Sequence, residues 1–417
     1  MKTIKFITLG CKVNQYDTQN IREQFCALGL SEVRGNARAD VYLINTCTVT
    51  HRSDSDSLYY IRKSRRENPK ARIILTGCFS ELDAKKIKKE NSIDLIIKNK
   101  DKDKAARIFA RKFLKSKNKI ACNSGISHFE GRTRAFIKIQ DGCNNYCSYC
   151  RVPHARGKSS SRSLKSIVIE AEKLAVNGFK EIVLCGVCLG AYGRDLKPRL
   201  FLVDVITALE KIPYIFRIRL SSIEAMDVSK ELIDKMAVSG KLCKHLHIPI
   251  QSGDDRVLKA MNRRYTSRDY LDLIKAIKSR LPDIAITTDV LVGFPTENEE
   301  SFNNTVKLVK KIMPLKAHVF SYSPRPGTAA ESKYKNKIDI KVIQDRLARL
   351  KQVALESSLK YKKHFLNKMM EVLVEDSKGL PAGQYEGYTS NYIKTNISSK
   401  KDIKNKIVSV KILNFSE

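Results

Sequence analysis

The sequence predicts an α/β protein in three parts: a parallel α/β sheet domain over 1–120, a central partial barrel of six β/α units over 130–360, and a small β-barrel module over 361–417. Three observations predict this. Two successive stretches alternate short apolar runs with helical ones, the pattern of parallel sheets. After Pro326 the pattern changes to one long charged helix followed by short alternating runs, as in small all-β modules. The chain of 417 residues is long enough for two or three domains, and its 42% hydrophobic content excludes intrinsic disorder as the main state.

In the first domain the apolar runs are KFITLG, VYLINT, ARIILTG and IDLII. Between them fall a helix from about Asp17 to Leu28, a polar helix after His51, and another before IDLII. Residues Lys98 to Lys119 read as a basic helix leading to a linker, and their charge suits either a solvated face or RNA contact. The second alternation supplies FIKIQ, EIVLCG, FRIRLSS, LHIPIQS, AITTDVLVGF and KAHVFSYS, with helical segments between them. Pattern alone does not separate an open sheet from a curved partial barrel, and polar residues at strand ends suit both; the partial barrel is the expectation. A helix from roughly Ile338 to Phe365 precedes MEVLVED, QYEGYTSNYIKTNI and KIVSVKIL.

Lys and Arg number 78 against 44 Asp and Glu, a formal charge of +34. That imbalance calls for an anionic partner. Nucleic acid fits best, because neutralising phosphates releases counterions, although a Lys-rich proteome also makes basic proteins. No apolar run approaches the roughly 18 to 20 residues of a membrane helix, and the N-terminal apolar stretch breaks at Lys12 without a small-residue cleavage site. No membrane partner and a cytoplasmic location are expected. The eleven cysteines are an odd number scattered over a chain without an export signal, which favours reduced thiolates over a disulfide framework.

Two groups of cysteines stand out. Cys143, Cys147 and Cys150, in DGCNNYCSYCRVPHARG, follow a strand at spacings of four and three and form a loop able to turn its sulfurs toward iron or zinc. A zinc site would need a fourth ligand such as His154. An iron–sulfur cube held by three thiolates leaves one iron open for chemistry, and Tyr149 adds an aromatic face beside it. The second group is dispersed: Cys11, Cys47 and Cys78 each follow a parallel strand, and the C-terminal ends of such strands share one edge. A buried cysteine alone is often a small hydrophobe, but equivalent placement of all three argues for a shared ligand. Cys26, Cys122, Cys185, Cys188 and Cys243 show no comparable pattern. His245 and His247, on one strand face, read as structural rather than as a metal pair.

The loop Cys143-x3-Cys147-x-Tyr149-Cys150 resembles that of the radical S-adenosylmethionine superfamily. Further, TLGCKVNQYD, INTCTVT, LTGC, PHARG, RLSSIE, HLHIPIQSGDDRVLKAMNRRYT, TTDVLVGFPTENEESF and FSYSPRPGT occur in this order, and almost the whole chain is similar to the methylthiotransferases. That resemblance implies two 4Fe-4S clusters, an auxiliary one on Cys11, Cys47 and Cys78 and a radical one on Cys143, Cys147 and Cys150, with S-adenosylmethionine on the open iron of the latter. It implies a TRAM-like RNA-binding module at the end, tRNA as partner through its anticodon stem-loop, a one-electron reductant such as flavodoxin or ferredoxin, and a sulfur donor. One cosubstrate would supply the methyl group and a second the 5′-deoxyadenosyl radical.

Three branches are known, acting on isopentenyladenosine in tRNA, threonylcarbamoyladenosine in tRNA, and an aspartate of a ribosomal protein. Cys-Lys-Val-Asn at 11–14 and TCTVT at 46–50 are similar to the threonylcarbamoyl branch. Tyr149, Ser222, Glu224, Gln251 and Asp289, with Gly293, are the candidates for holding the cosubstrate, since carboxylates accept from ribose hydroxyls and glycine lets backbone approach. Tyr388 and Tyr392, with Tyr385 and Lys394, are candidates for stacking bases and meeting phosphate, against the alternative that they are module core. Two residues depart from the family pattern: Cys188 stands where Asn or His is expected, and Arg151 where an apolar residue is usual. A reading from another class is a noncatalytic RNA-binding protein that senses iron or oxidation.

Overall fold

The computed structural model describes residues 1–83, 87, 90, 92–114, 125–376 and 379–415. Its first sheet is wholly parallel, in the order β2-β1-β3-β4-β5, with β1 Thr3–Thr8, β2 Ser31–Glu32, β3 Val41–Thr46, β4 Arg72–Gly77 and β5 Leu95–Ile96. VYLINT is buried at every position, as a central parallel strand covered on both faces must be. Each expected apolar run forms a strand.

One boundary differs. The first helix spans Lys12–Ala27 and so begins five positions before the expected Asp17, because Gly10, at φ +91°, turns the chain immediately after β1 and nothing in KVNQY breaks a helix. The polar helix is His51–Glu67, capped by Thr50, whose side chain accepts from the Ser53 amide. The expected basic helix resolves into a 3-10 turn at Asn99–Lys104 and a helix at Ala105–Phe109. Its end, the linker and Cys122 lie outside the described residues, as does most of the helix expected before IDLII.

The central domain holds β6 Arg134–Lys138, the short pair β7 Gln140–Asp141 and β8 Ser160–Ser161, then β9 Glu181–Cys185, β10 Arg217–Leu220, β11 His245–His247, β12 Ala285–Val292 and β13 Lys316–Ser321. Parallel pairing gives β10-β9-β6 and β11-β12-β13, and single parallel bridges, Ile218 to Leu242 and Ser222 to His247, join the two halves. The result is an arc β6-β9-β10-β11-β12-β13, the expected six-unit partial barrel. Helices Leu164–Val176, Leu202–Glu210, Lys230–Val238, Ser267–Arg280, Glu299–Ile312 and Ile340–Lys363 follow the six strands in turn. Ser163, Ser229, Thr266 and Asn298 cap four of them through their own side chains. A continuous apolar core lies between arc and helices, with Ile182, Leu184, Ile218, Leu246 and Ile286 at or below 1% exposure.

The C-terminal module is four antiparallel strands, β14 Met369–Glu375, β15 Gln384–Thr389, β16 Lys394–Ser398 and β17 Ile407–Lys411, ordered β16-β15-β14-β17. They curl into a half-barrel. The run QYEGYTSNYIKTNI makes two strands around a turn in which Tyr392 has φ +68°. The module is fastened to the barrel by arginines of β10. Arg217 donates to the carbonyls of Tyr388 (3.0 Å) and Glu371 (2.8 Å), and Arg219 to those of Ser390 (3.0 Å) and Thr389 (3.2 Å). No helix among the described residues is long and apolar enough to cross a membrane.

Candidate active site

The topology gathers the dispersed cysteines as their strand positions require. Cys11 is the N-cap of the first helix after β1, Cys47 follows β3 directly, and Cys78 opens the helix Cys78–Leu82 after β4. β1, β3 and β4 are adjacent and parallel, so the three residues share one sheet edge. A Cβ on Gly10 would meet Cys47 Sγ at 2.8 Å; glycine there lets the Cys11 turn lie against Cys47. Asn14 donates to the carbonyls of Leu9 (2.8 Å) and Thr46 (3.0 Å), tying the turn to the end of β3. Burial raises the pKa of Cys47 and Cys78, and for Cys78 the nearby Arg156 and Lys102 work against that rise.

The second triad lies on the loop after β6, closed by the β7–β8 pair, which the sequence did not announce. Gly142, at φ +71°, precedes Cys143, and a Cβ there would strike the Lys158 carbonyl at 2.1 Å. Each sulfur of this loop receives one N–H: Asn145 N to Cys143 Sγ, Val152 N to Cys150 Sγ and Arg263 Nη1 to Cys147 Sγ, all at 3.4 Å. Such donors favour the thiolate form that a cluster needs. Among the described residues no three His, Cys, Asp or Glu side chains close around one point as the ligands of a single ion would. A cube presents a separate iron to each thiolate, so it takes sulfurs standing further apart. His154, the residue a Cys3His zinc site needs, packs edge-on against Tyr146.

Cys188, one of the two departures, is 4% exposed, and its thiol beside Cys143 draws the Cys143 pKa down to about 7. Its sulfur also lies 3.5 Å from Asp227 Oδ2. Arg151, the other, reaches into the N-terminal domain: its Nη1 donates to Thr48 Oγ1 (3.0 Å) and Asp83 Oδ2 (2.8 Å). Arg325 of FSYSPRPGT joins the same knot, donating to Thr48 Oγ1 at 2.9 Å and pairing with Asp54.

A second knot ties the sheet domain, which carries one triad, to the barrel, which carries the other. Arg156 of PHARG donates to Asn14 Oδ1 at 2.6 Å and to Asp17 at 3.2 Å from one nitrogen, and to Asp141 at 2.8 Å from the other. The helix carrying it packs on the helix that begins at Cys78. Burial raises the Cys150 pKa to about 12, with Cys147, Cys143 and also Cys78 adding to the rise, so the triads lie within electrostatic reach of each other.

Of the cosubstrate candidates Ser222, Glu224 and Gln251 fall just past strand ends, whereas Asp289 departs from expectation by lying within β12, paired with His318. Ser222 bridges to His247, Gln251 bridges to Val290 with φ +64°, and Asp289 Oδ2 lies 3.2 Å from His247 Nε2. Ser222 and Asp289 line one cavity of about 410 Å3 inside the arc. Glu224 is already engaged: Arg263 forks onto it with both terminal nitrogens while reaching Cys147. Arg263 was not singled out in the sequence, although it lies in the quoted block ending MNRRYT. Tyr149 packs with Val257, Met261, Phe294 and Ala330, so much of its ring meets apolar core. Gly293 departs from expectation, since the space its missing Cβ leaves is taken by Ile343, at 2.9 Å. His245 Nε2 and His247 Nδ1 both lie 2.9 Å from Thr287 Oγ1, the structural role expected.

A Glu224→Ala variant is expected to raise the S-adenosylmethionine concentration needed for half-maximal cleavage in single turnover about tenfold, the effect of losing one charged hydrogen bond and freeing Arg263. An unchanged requirement would remove Glu224 from the site.

The tyrosines of the terminal module are not a free stacking platform. Tyr392 stacks on Tyr388 at 5.0 Å and on His245 at 4.6 Å. Arg134 sits 4.7 Å over Tyr388 and Arg219 sits 4.8 Å over Tyr392. Both rings therefore form the seam between module and barrel. Lys394 pairs with Glu386 at 2.6 Å. A larger cavity of about 710 Å3 opens beside this seam, lined by Lys316, Lys351, Lys362, Lys394 and Lys411.

Comparison with known proteins adds relatives to this geometry. Residues 137–309 match the Radical SAM superfamily and residues 3–98 match Uncharacterized protein family UPF0004. The chain is 37% identical to the threonylcarbamoyladenosine tRNA methylthiotransferase MtaB of Bacillus subtilis, over 99% of this chain and 94% of that one. It is 36% identical to the protein of the same name from Thermotoga maritima (94% and 91%). It is 34% identical to the tRNA-2-methylthio-N(6)-dimethylallyladenosine synthase of Alkaliphilus oremlandii (99% and 90%). Among solved structures, the radical S-adenosylmethionine methyltransferase TsrM from Kitasatospora setae superposes with a TM-score of 0.58 at 14% identity, covering 79% of this chain and 77% of that one. That likeness concerns the fold alone.

Proposed function

Because the chain belongs to the methylthiotransferase family of radical S-adenosylmethionine enzymes, we propose that it converts N6-threonylcarbamoyladenosine in the anticodon loop of tRNA to its 2-methylthio derivative. The observation that carries the reading is end-to-end similarity, at 35 to 37% identity, to enzymes named for that substrate. The net charge of +34 fits a polyanionic substrate. A tRNA substrate puts the work in the cytoplasm.

The six cysteines fit two 4Fe-4S clusters, Cys143, Cys147 and Cys150 holding the radical one and Cys11, Cys47 and Cys78 the auxiliary one. A cluster held by Cys143, Cys147 and Cys150 together with S-adenosylmethionine would supply, once reduced, the electron that yields a 5′-deoxyadenosyl radical, the species able to take an aromatic C2 hydrogen that ordinary acid–base chemistry leaves untouched. The chain's own part is positioning. Asn145, Val152 and Arg263 fix the sulfurs of the loop. Ser222, Glu224, Gln251 and Asp289, with Tyr149, are the groups assigned to holding the cosubstrate in this reading. The Asp17 and Arg325 knots tie the domain that carries one triad to the barrel that carries the other. The lysine-lined cavity beside Tyr388 and Tyr392 suits a phosphate backbone. A low-potential reductant such as flavodoxin or ferredoxin and a sulfur donor complete the reaction.

Anaerobic expression in a host lacking its own threonylcarbamoyladenosine methylthiotransferase, followed by nucleoside mass spectrometry of total tRNA, tests the reading. The expected result is a mass gain on threonylcarbamoyladenosine. A gain on isopentenyladenosine alone would move the chain to the sister branch, and loaded clusters without any modified nucleoside would favour a ribosomal protein substrate or a sensor.

A further inference from the structure

The cavity inside the arc carries charge that the reaction so far does not use. It is lined along both edge strands, by Phe136 of β6 and by His318 and Phe320 of β13, and by Lys12, Gln15 and Arg132 from the N-terminal domain and the segment entering β6. It thus occupies the gap of the partial barrel, beside the residue that follows Cys11. Its volume of about 410 Å3 is that of a small-molecule pocket.

Most charges around it are already matched. Arg134 pairs with Glu375 at 2.8 Å and Arg219 with Glu181 at 2.6 Å, and the Asp289 carboxylate lies 3.2 Å from His247 Nε2. Two cations are not. Among the described residues the Lys12 ammonium has neither a hydrogen-bond nor a carboxylate partner. Among the described residues the Arg132 guanidinium meets only Gln15 Oε1, at 2.9 Å, and the face of Phe136, at 5.7 Å. Both cations are exposed to solvent and line the same chamber as Ser222 and Asp289, so water is what an incoming anion would displace there.

We propose that Lys12 and Arg132 bind the carboxylate of the N6-threonylcarbamoyl group and so select this nucleoside; the inference rests on the function proposed above. The threonyl unit carries a carboxylate and a hydroxyl, and its carbamoyl link a carbonyl within the scope of Gln15. An isopentenyl group has none of these, and a hydrocarbon placed against two cations would strip their water without replacing it. A site built around a charged substituent rejects an analogue that lacks it more strongly than an apolar pocket rejects a polar one.

The test uses cluster-loaded enzyme without S-adenosylmethionine and measures binding of anticodon stem-loops by fluorescence anisotropy. The loops carry threonylcarbamoyladenosine, its methyl ester, or unmodified adenosine. Wild type is expected to bind the free acid about tenfold more tightly than the ester, the lower range of a charge-assisted hydrogen bond. In a Lys12→Gln, Arg132→Gln double variant that preference is expected to fall to within about twofold, while Lys12→Arg keeps it. Equal binding of acid and ester by wild type would overturn the proposal without any variant, as would an undiminished preference in the double variant. Should the wild type fail to methylthiolate threonylcarbamoyladenosine at all, the functional reading itself fails. Methylthiolation with undiminished preference in the double variant defeats only the carboxylate assignment.

Discussion

Replacing Cys143, Cys147 or Cys150 by alanine is expected to reduce 5′-deoxyadenosine formation to background, while replacing Cys11, Cys47 or Cys78 leaves that cleavage within about threefold of wild type and abolishes the methylthio product. Each change should cost about half the bound iron, since each removes one thiolate from a three-thiolate set. The separation follows from placement. One triad sits on a single loop after β6, the other on three strand ends of a different sheet, and neither needs the other's backbone to form. Iron and sulfide analysis of anaerobically purified variants, with chromatography of cleavage products, reads both arms. Cys26→Ala, on an exposed position of the first helix, should change neither. If Cys11→Ala removed cleavage as completely as Cys143→Ala, the two triads would not be separate centres.

Both triads were legible in the sequence for one reason. A loop with cysteines at spacings of four and three is local, and strand-end cysteines in a parallel sheet follow a topological rule, so neither required knowledge of packing. The six strands of the arc were legible too, from apolar residues recurring along each run, although β10 carries two buried arginines and β13 has no fully buried position. What the sequence did not reveal depends on side chains meeting across domains. Arg263 reaches Cys147 from a turn more than a hundred residues away in sequence, and no spacing encodes that. Arg151 looked out of place as a polar residue in an apolar position, and its meaning appears only once Thr48 and Asp83 are beside it. Tyr388 and Tyr392 carried a composition that suits RNA stacking, whereas their neighbours Arg134, Arg219 and His245 turn them into a seam. Composition identifies a ring; only packing says what it faces.

An Asp17→Asn substitution is expected to destabilise the enzyme by about 3–5 kcal/mol, the cost of leaving buried charge without its partner. Asp17 is 2% exposed and bonds Lys102 at 2.7 Å, Lys138 at 2.5 Å and Arg156 at 3.2 Å, while Asp141 takes Lys138 at 3.0 Å and Arg156 at 2.8 Å. Three cations thus share two carboxylates, and the substitution leaves them one. Lys102 belongs to the N-terminal domain and the other two cations to the barrel, so the loss falls on the contact that opposes the two triads. Burial alone would raise the Asp17 pKa, but Lys102, Lys138 and Arg156 outweigh it and hold the carboxyl well below the usual range; the same balance puts Asp141 at about 2. A carboxyl depressed on folding contributes its stability above its unfolded value, near 4, and loses it only as pH falls through the folded one. The difference between wild type and variant should therefore hold across neutral pH and narrow only in strong acid. Thermal unfolding is the measurement: at about 2–4 °C per kcal/mol for domains of this size, the variant should melt roughly 10 °C lower. Adding Lys102→Met to Asp17→Asn should recover part of the loss by removing an unmatched cation. A melting temperature within about 2 °C of wild type would mean that solvent reaches this knot and that the two domains are held without it, by packing and by the Arg151 and Arg325 contacts.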